Sequence, residues 1–330
     1  MNSRLAAIRQ HPSWPRALSR LDTATLGPLL ALILMFVIYT LLSPNFLTVS
    51  NMTNVLVQAS PLLILATGQT FALLMGGLDL SQGSIVSLVS VVTAAVMMDY
   101  GFAAGSLAGL TAGVGVGVLS GLLIGWARIQ PFIVTLGMLY VAAGAAMVVS
   151  DGSTIFGLPR PDVDYFFWFG GGYIGPLPVP VLIAAVLVIA AHVLLTRTRV
   201  GRHIYAIGGN EQVAIMSGIN AANVKVVIFA ISGGFAAIGG YMLSGRVISG
   251  QPLLGSGELL LQSIGAVIIG GTSVFGGEGG VLRTLVGVLV IAFMVNGLNL
   301  LAISTFTQQI IVGAIIILSV WANTIRRRRS

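Results

Sequence analysis

The sequence predicts an all-α polytopic membrane protein of about ten transmembrane helices, with Gly-rich broken or re-entrant segments and both termini cytoplasmic. Three observations predict it. Of 330 residues, 56% are hydrophobic and only 8% charged, at a mean hydropathy of +1.00. A soluble domain carries about 25% charged residues because its surface faces water, so this chain has lipid as its solvent. The apolar residues also fall into runs of the length a bilayer requires, roughly 20 residues per helical span. Finally, the basic residues gather at alternate run ends, as the positive-inside rule demands. With this many spans, no room remains for a large soluble domain.

The runs, in order, are Leu26 to Leu42, Asn54 to Met75, Ser84 to Met98, Phe102 to Trp126 and Pro131 to Val149, then Val179 to Leu195, Val224 to Leu243, Leu259 to Gly271, Val281 to Leu301 and Thr307 to Asn323. The first follows a basic stretch, as a signal peptide would. Leu42-Ser43-Pro44-Asn45 lacks the small-residue cleavage pattern, so the run reads as a retained anchor. The fourth carries Gly at every fourth position: Gly101, Gly105, Gly109, Gly113, Gly117, Gly121 and Gly125. Four residues turn a helix by about 400°, so this row drifts about 40° per step. No single straight neighbour can follow it, and the helix is expected to be central and to touch several others. A second Gly-rich run, Gly233, Gly234, Gly239, Gly240 and Gly245, predicts another tightly packed span. The run from Leu259 is short and ends on Gly, which suits a broken or re-entrant helix.

Orientation follows from charge. Arg4, Arg9, Arg16 and Arg20, then Arg128, then Arg197, Arg199, Arg202 and Lys225, then Arg283, and finally Arg326 to Arg329 mark the inner side. Asp99, Asp151, Asp162 and Asp164 fall on the other side with Arg160, and Arg246 is the exception that the count places outside or in a membrane-dipping segment. The domain reading is therefore a cytoplasmic segment over 1–25, a single membrane domain over 26–323 and a basic tail over 324–330. Two loops stand out. The outer one, 150–178, holds Tyr165, Phe166, Phe167, Trp168 and Phe169, which suit an interfacial aromatic belt or a docking surface. The inner one, 196–223, is the first place to look for a cytoplasmic contact.

Much chemistry is absent. There is no phosphate-cradling Gly-x-x-x-x-Gly-Lys-Ser/Thr loop and no cysteine, and His11, His192 and His203 lack neighbours at metal-ligand spacing. No catalytic residue and no metal site are expected. Ion-coupled carriers need ionisable groups at membrane depth, and only Asp79 and Glu258 qualify, both in Gly-flanked breaks. The energy for transport is expected to come from elsewhere.

Three motifs rise above composition. In Gly76-Gly77-Leu78-Asp79-Leu80-Ser81-Gln82-Gly83-Ser84, the paired glycines permit a sharp turn and Asp79 or Ser81 can cap the next helix. In the stretch from Gly201 to Ile219, Asn210 is a good N-cap, Glu211 opposes the helix dipole and Gly218 stops the helix, which gives about two turns. Its residues Val213, Ala214, Ile215 and Met216 suit either a partner's grip or a position flat on the bilayer. The third, Gly270-Gly271-Thr272-Ser273-Val274-Phe275-Gly276-Gly277-Glu278-Gly279-Gly280, is a break at membrane depth, and is followed by Asn296-Gly297-Leu298-Asn299. Asn296 and Asn299 share one helix face and could point into a wet cavity.

Together and in this order, the motifs resemble those of the membrane permease subunits of bacterial ABC sugar importers, the family of the ribose, xylose and galactoside permeases. The resemblance runs from about Leu26 to Asn323. It implies an inner-membrane subunit paired with a second permease copy, two cytoplasmic ATPase subunits and a periplasmic sugar-binding protein, with no nucleic-acid partner. ATP and Mg would sit on the ATPase subunits and no cofactor on this chain. The ATPases would grip the loop through Gly209, Asn210, Glu211, Met216, Ser217 and Gly218. The chain departs from the family at Val213-Ala214, where Ala-Ala is frequent, and at Gln82, where Val is usual. Candidate residues of the solute path are Gln58, Gln69, Thr70, Asn296, Asn299 and Gln308, with Gln262 also at membrane depth. All are neutral and suit an uncharged hydroxylated solute, although polar residues also glue helices together. The alternatives are an ion-coupled secondary carrier and an ABC permease for branched-chain amino acids.

Overall fold

The computed structural model describes residues 23–255 and 257–329. Arg4, Arg9, His11, Arg16 and Arg20 lie outside the described residues, as do the side chains of 322–330. The described chain is helical almost throughout. In order it forms α1 (Thr23–Leu42), α2 (Val49–Leu74), α3 (Gln82–Gly125), α4 (Pro131–Val149), α5 (Asp162–Gly171), a hairpin of β1 (Tyr173–Ile174) and β2 (Leu177–Pro178), and α6 (Val179–Arg197). It continues with α7 (Arg199–Gly209), α8 (Glu211–Met216), α9 (Ala221–Val247), α10 (Glu258–Ile269), α11 (Val281–Leu300) and α12 (Thr305–Arg329). Among the described residues six helices, α2, α3, α4, α6, α9 and α11, are long and apolar enough to cross a membrane; shorter apolar helices cover Leu26–Leu42, Glu258–Ile269 and Thr305–Trp321.

Helix α3 has 44 residues, about 66 Å at 1.5 Å per residue, roughly twice the hydrocarbon core. It is two helices joined by a hinge. Gly101 has φ 82° and ψ 177°, a conformation that glycine adopts without a Cβ penalty, and there the chain reverses. The Gly row then packs the two halves together and joins the second half to α9. A Cβ on Gly105 would lie 2.8 Å from the Met97 Cβ, and one on Gly109 would lie against Thr93. Further along, Gly117 meets Gly233 of α9, whose Cα would be 2.9 Å from an added Cβ, Gly121 meets Val226, and Gly125 meets Ala222. The expected drift of the row is therefore real: its upper members face the preceding span and its lower members face α9.

The main core gathers α2, α3 and α9 around Phe71, Ile85, Val89 and Phe229, all fully buried. The α11 side is a separate cluster, in which Ala59, Leu62 and Ala66 of α2 pack with Ala266 and Val267 of α10 and Val288 and Ile291 of α11. α1, the α1–α2 connection and α11 meet in an aromatic group of Phe36, Tyr39, Phe46 and Phe293.

Two loops hold more structure than the sequence suggested. Loop 150–178 contains α5, whose Phe166 is fully buried and meets Tyr241 edge-on at 4.9 Å. Tyr165, Phe167 and Trp168 remain exposed, so the aromatic run is divided between core and surface. After α9 the chain turns at Ile248, pairs Gly250 with Ile155, and re-enters the bundle beside the first half of α3. The Gln251 amide donates to Ser90 Oγ (2.9 Å) and the Gly255 amide to Ser87 Oγ (3.0 Å). Non-helical backbone inside a membrane bundle must find internal partners, and these serines supply them.

Candidate functional site

The three sequence motifs meet in space. At the end that bears Arg128, Arg202, Lys225 and Arg283, the turn after α2, the end of α7 and the loop between α10 and α11 form one knot. The Gly277 amide donates to the Leu74 carbonyl at 2.9 Å. A Cβ on Gly276 would lie 2.9 Å from the Gly208 carbonyl oxygen and 3.1 Å from the Gly76 Cα, and one on Gly277 would lie 3.2 Å from the Gly209 Cα. Gly276 also has φ 87°, so glycine is required twice over at that position. The Tyr205 hydroxyl closes the knot by donating to the Gly279 carbonyl at 2.9 Å. Burial pushes its pKa up, against a lowering by the nearby Arg283 charge, so the phenol keeps its proton as a donor. Arg283 reaches the Gly271 carbonyl at 3.2 Å, and Gly270 packs against the Arg283 backbone.

On this knot stands α8. Asn210 caps it as expected, its Oδ1 accepting from the Val213 amide at 3.1 Å, and Gly218 ends it at φ 84°. Ala214 is buried and anchors the helix, while Val213, Ile215 and Met216 are exposed, Met216 at 87%. The Ser217 hydroxyl is turned back onto the Val213 carbonyl (2.9 Å). An interaction that sequence reasoning missed fixes the helix from the side: Lys225 Nζ of α9 donates to Glu211 Oε1 at 2.6 Å. Beside α8 opens a groove of about 820 Å³ lined by Arg128, Gln130, Glu211, Ile215, Asn220 and Lys225, among others. The face is thus an apolar knob next to a groove edged with charge.

The Gly76-Gly77 turn departs from the expected capping role. Neither Asp79 nor Ser81 caps α3: the Ser81 backbone is itself helical and its side chain makes no cap bond. Instead Asp79, wholly buried, accepts from the Ser81 amide (3.0 Å), the Ser81 hydroxyl (2.5 Å) and the Ser232 hydroxyl of α9 (2.6 Å). Gln82 donates to Ser232 Oγ at 2.9 Å. Gln69 of α2 donates to the Asp79 carbonyl (3.1 Å) and to Gln82 Oε1 (3.3 Å), and accepts from the Asp79 amide (3.2 Å). A buried carboxylate without a cation is tolerable only with such a set of donors.

The path candidates divide. Gln69 and Thr70 are fully buried, and the Thr70 and Thr284 hydroxyls hydrogen-bond at 2.6 Å. Asn296 exchanges two amide hydrogen bonds with Asn51 of α2, at 2.8 and 2.9 Å. Asn299 accepts from Gln308 at 2.7 Å, which joins α11 to α12. The shared face expected of Asn296 and Asn299 is thus split between two different neighbours. Gln58 is exposed on α2. Among the described residues no group of three His, Cys, Asp or Glu gathers as a metal site would.

The chain is similar over nearly its whole described length to known permeases. It is 42% identical over 297 residues to the ribose import permease protein RbsC of Bacillus subtilis, covering 89% of this chain and 91% of that permease. It is 38% identical over 293 residues to RbsC of Escherichia coli K12 (88% and 91%) and 37% identical over 297 residues to the D-allose transport system permease protein AlsC of the same strain (89% and 90%). No solved structure matches it. A family model also matches residues 51–320, and the chain belongs to that family, described as the permease component of the branched-chain amino acid transport system.

Proposed function

We propose that this chain is the membrane permease subunit of an ABC importer for a monosaccharide in a bacterial inner membrane. It would cross the bilayer ten times, α3 counting twice, with both termini on the cytoplasmic side. Two copies would enclose the path, each α8 would dock one ATPase subunit carrying ATP and Mg, and a periplasmic binding protein would deliver the sugar. The observation that carries this reading is the α8 knob with its groove: an apolar face held out from the basic end, braced on the ends of α2 and α7 and the α10–α11 loop. A helix gripped there can pass movement into the bundle through backbone contacts, because the glycines leave no side chains to yield. The Asp79 cluster extends the same connection into α9. The sugar assignment rests on the names of the relatives, the ribose, allose and L-arabinose permeases.

The family's description keeps branched-chain amino acids as a second substrate class. The decisive experiment extracts the chain gently from its native membrane, identifies what copurifies by mass spectrometry, and measures ATP-driven uptake by the reconstituted assembly. A P-loop ATPase at one copy per permease together with ribose, allose or arabinose uptake supports the reading. Uptake of leucine instead would move the substrate class. Solute movement by the isolated chain, driven by an ion gradient without ATP, would remove the importer reading altogether.

A further inference from the structure

Glu258 occupies a depth at which a carboxylate has no stable place against lipid. The re-entrant segment 248–255 carries the chain from the outer end of α9 back into the bundle, where Gly255 packs on Gly83 at the start of α3. Helix α10 then runs antiparallel to α11, Gly270 lying against Arg283 and Gly287 against Ala266. The 12 residues of α10 rise about 18 Å at 1.5 Å each. Glu258 therefore lies about 18 Å from the basic end of α11, inside a hydrocarbon core of about 30 Å. The residue is nevertheless exposed. Its Oε1 accepts from Gln262 at 2.8 Å and its Oε2 from Gln309 of α12 at 3.1 Å. Among the described residues the ion pair is Lys225 with Glu211, and no cation pairs with Glu258. Carboxylates at this depth face a bundle interior or a water-filled cavity.

We infer that the face carrying Glu258, Gln262 and Gln309 lines the aqueous solute path and hydrogen-bonds an uncharged, hydroxylated solute in transit. The inference rests on the permease reading above and locates the path on it. The chemistry fits: a carboxylate accepts only, while carboxamides both donate and accept, matching the two-way bonding of hydroxyl groups. Exposed Leu261 and Phe306 stand beside these polar groups and offer apolar surface to the C–H faces of a sugar ring. Asp79 cannot serve in this way, since its carboxylate is wholly buried and its oxygens are taken by Ser81 and Ser232.

The sequence contains no cysteine, so single thiols can be introduced into the natural background. The test places E258C, Q309C and, as a lipid-facing reference on α1, L34C in the full complex in native vesicles of both orientations. A charged, membrane-impermeant methanethiosulfonate then reports which thiols meet water. The expected result is labelling of E258C and Q309C at least about tenfold faster than L34C, slowed by saturating ribose, allose or arabinose. Labelling of E258C no faster than L34C in either orientation overturns the inference, as does fast labelling that none of the three sugars slows while the unmodified complex takes up one of them. The permease reading fails separately, when the unmodified complex shows no ATP-driven uptake of any of these sugars.

Discussion

The Asp79 carboxylate and the Ser232 hydroxyl meet at 2.6 Å, joining the turn after α2 to α9 at a point that sequence distance conceals. Because Ser81, Ser232, Gln82 and Gln69 are all arranged around this turn, Asp79→Ala strands several buried polar groups at once. The expected cost is about 2–4 kcal/mol, and Asp79→Asn, which keeps the volume and one acceptor, should cost about half as much. Thermal unfolding in detergent measures both. An unchanged midpoint for Asp79→Ala would show that the cluster is slack. Gradient-driven uptake in ATP-free vesicles, lost on Asp79→Asn, would instead make Asp79 an ion site.

The Gly row offers a comparison within a single helix. Gly117 lies on the row and meets Gly233 and Phe229 of α9, whereas an added Cβ at Gly115 has nothing within 4 Å. Gly117→Ala should destabilise by about 1–3 kcal/mol through overpacking against backbone that cannot yield, and Gly115→Ala should fall within about 1 kcal/mol of neutral. Equal melting temperatures for the two variants would refute the close approach of α3 and α9.

These two cases mark what the sequence made legible. The spacing of the row foretold both a crowded helix and a change of neighbour along it, because the 40° drift is a property of the helix itself. The apolar runs anticipated the long helices for the same reason. Asn210 and Gly218 announced α8 by local rules of capping. What stayed hidden is non-local. Nothing in Gly76, Gly208 and Gly276 taken singly says that they touch, since each turn is explained by its own backbone. Ser87 and Ser90, three residues apart on α3, read as ordinary small polar residues until the non-helical segment after α9 needs their hydroxyls. Gln82 stands where Val is usual in the family it resembles, and only the structure shows its amide donating to Ser232 across 150 residues. The partners of the path candidates were hidden as well, because amides that look free in a sequence find one another across helices, as Asn51 and Asn296 do.

The Glu211–Lys225 pair sets the angle of α8 against α9. Lys225 is largely buried at its side chain and Glu211 is not, at 16% and 45% exposure. A partly exposed pair of this kind contributes about 1 kcal/mol to folding, so Glu211→Arg should lower the melting temperature only modestly. It should still abolish ATP-driven uptake, because two cations now repel where α8 must be held. The double exchange Glu211→Lys with Lys225→Glu restores the attraction. Recovery of uptake in the double variant identifies the pair as a positioning device, whereas no recovery means that Glu211 meets the partner directly.

Met216 tests the docking face without touching the fold. Its side chain is 87% exposed and lies on the last turn of α8, so nothing in the chain itself is lost when it is replaced. A large apolar residue held out in this way contributes to a protein interface by burial, and the most buried anchors carry most of the binding energy. Met216→Glu exchanges that burial for a charge that must be desolvated on docking. Membrane insertion and melting temperature should stay at the unmodified values, while copurification of the ATPase falls at least about tenfold, a loss of about 1.4 kcal/mol. Uptake should fall with it. Met216→Leu, which keeps the apolar volume, should retain both. If Met216→Glu copurifies the ATPase at the normal ratio, α8 is not the docking helix, and the groove beside it, edged by Arg128 and Lys225, becomes the face to mutate next.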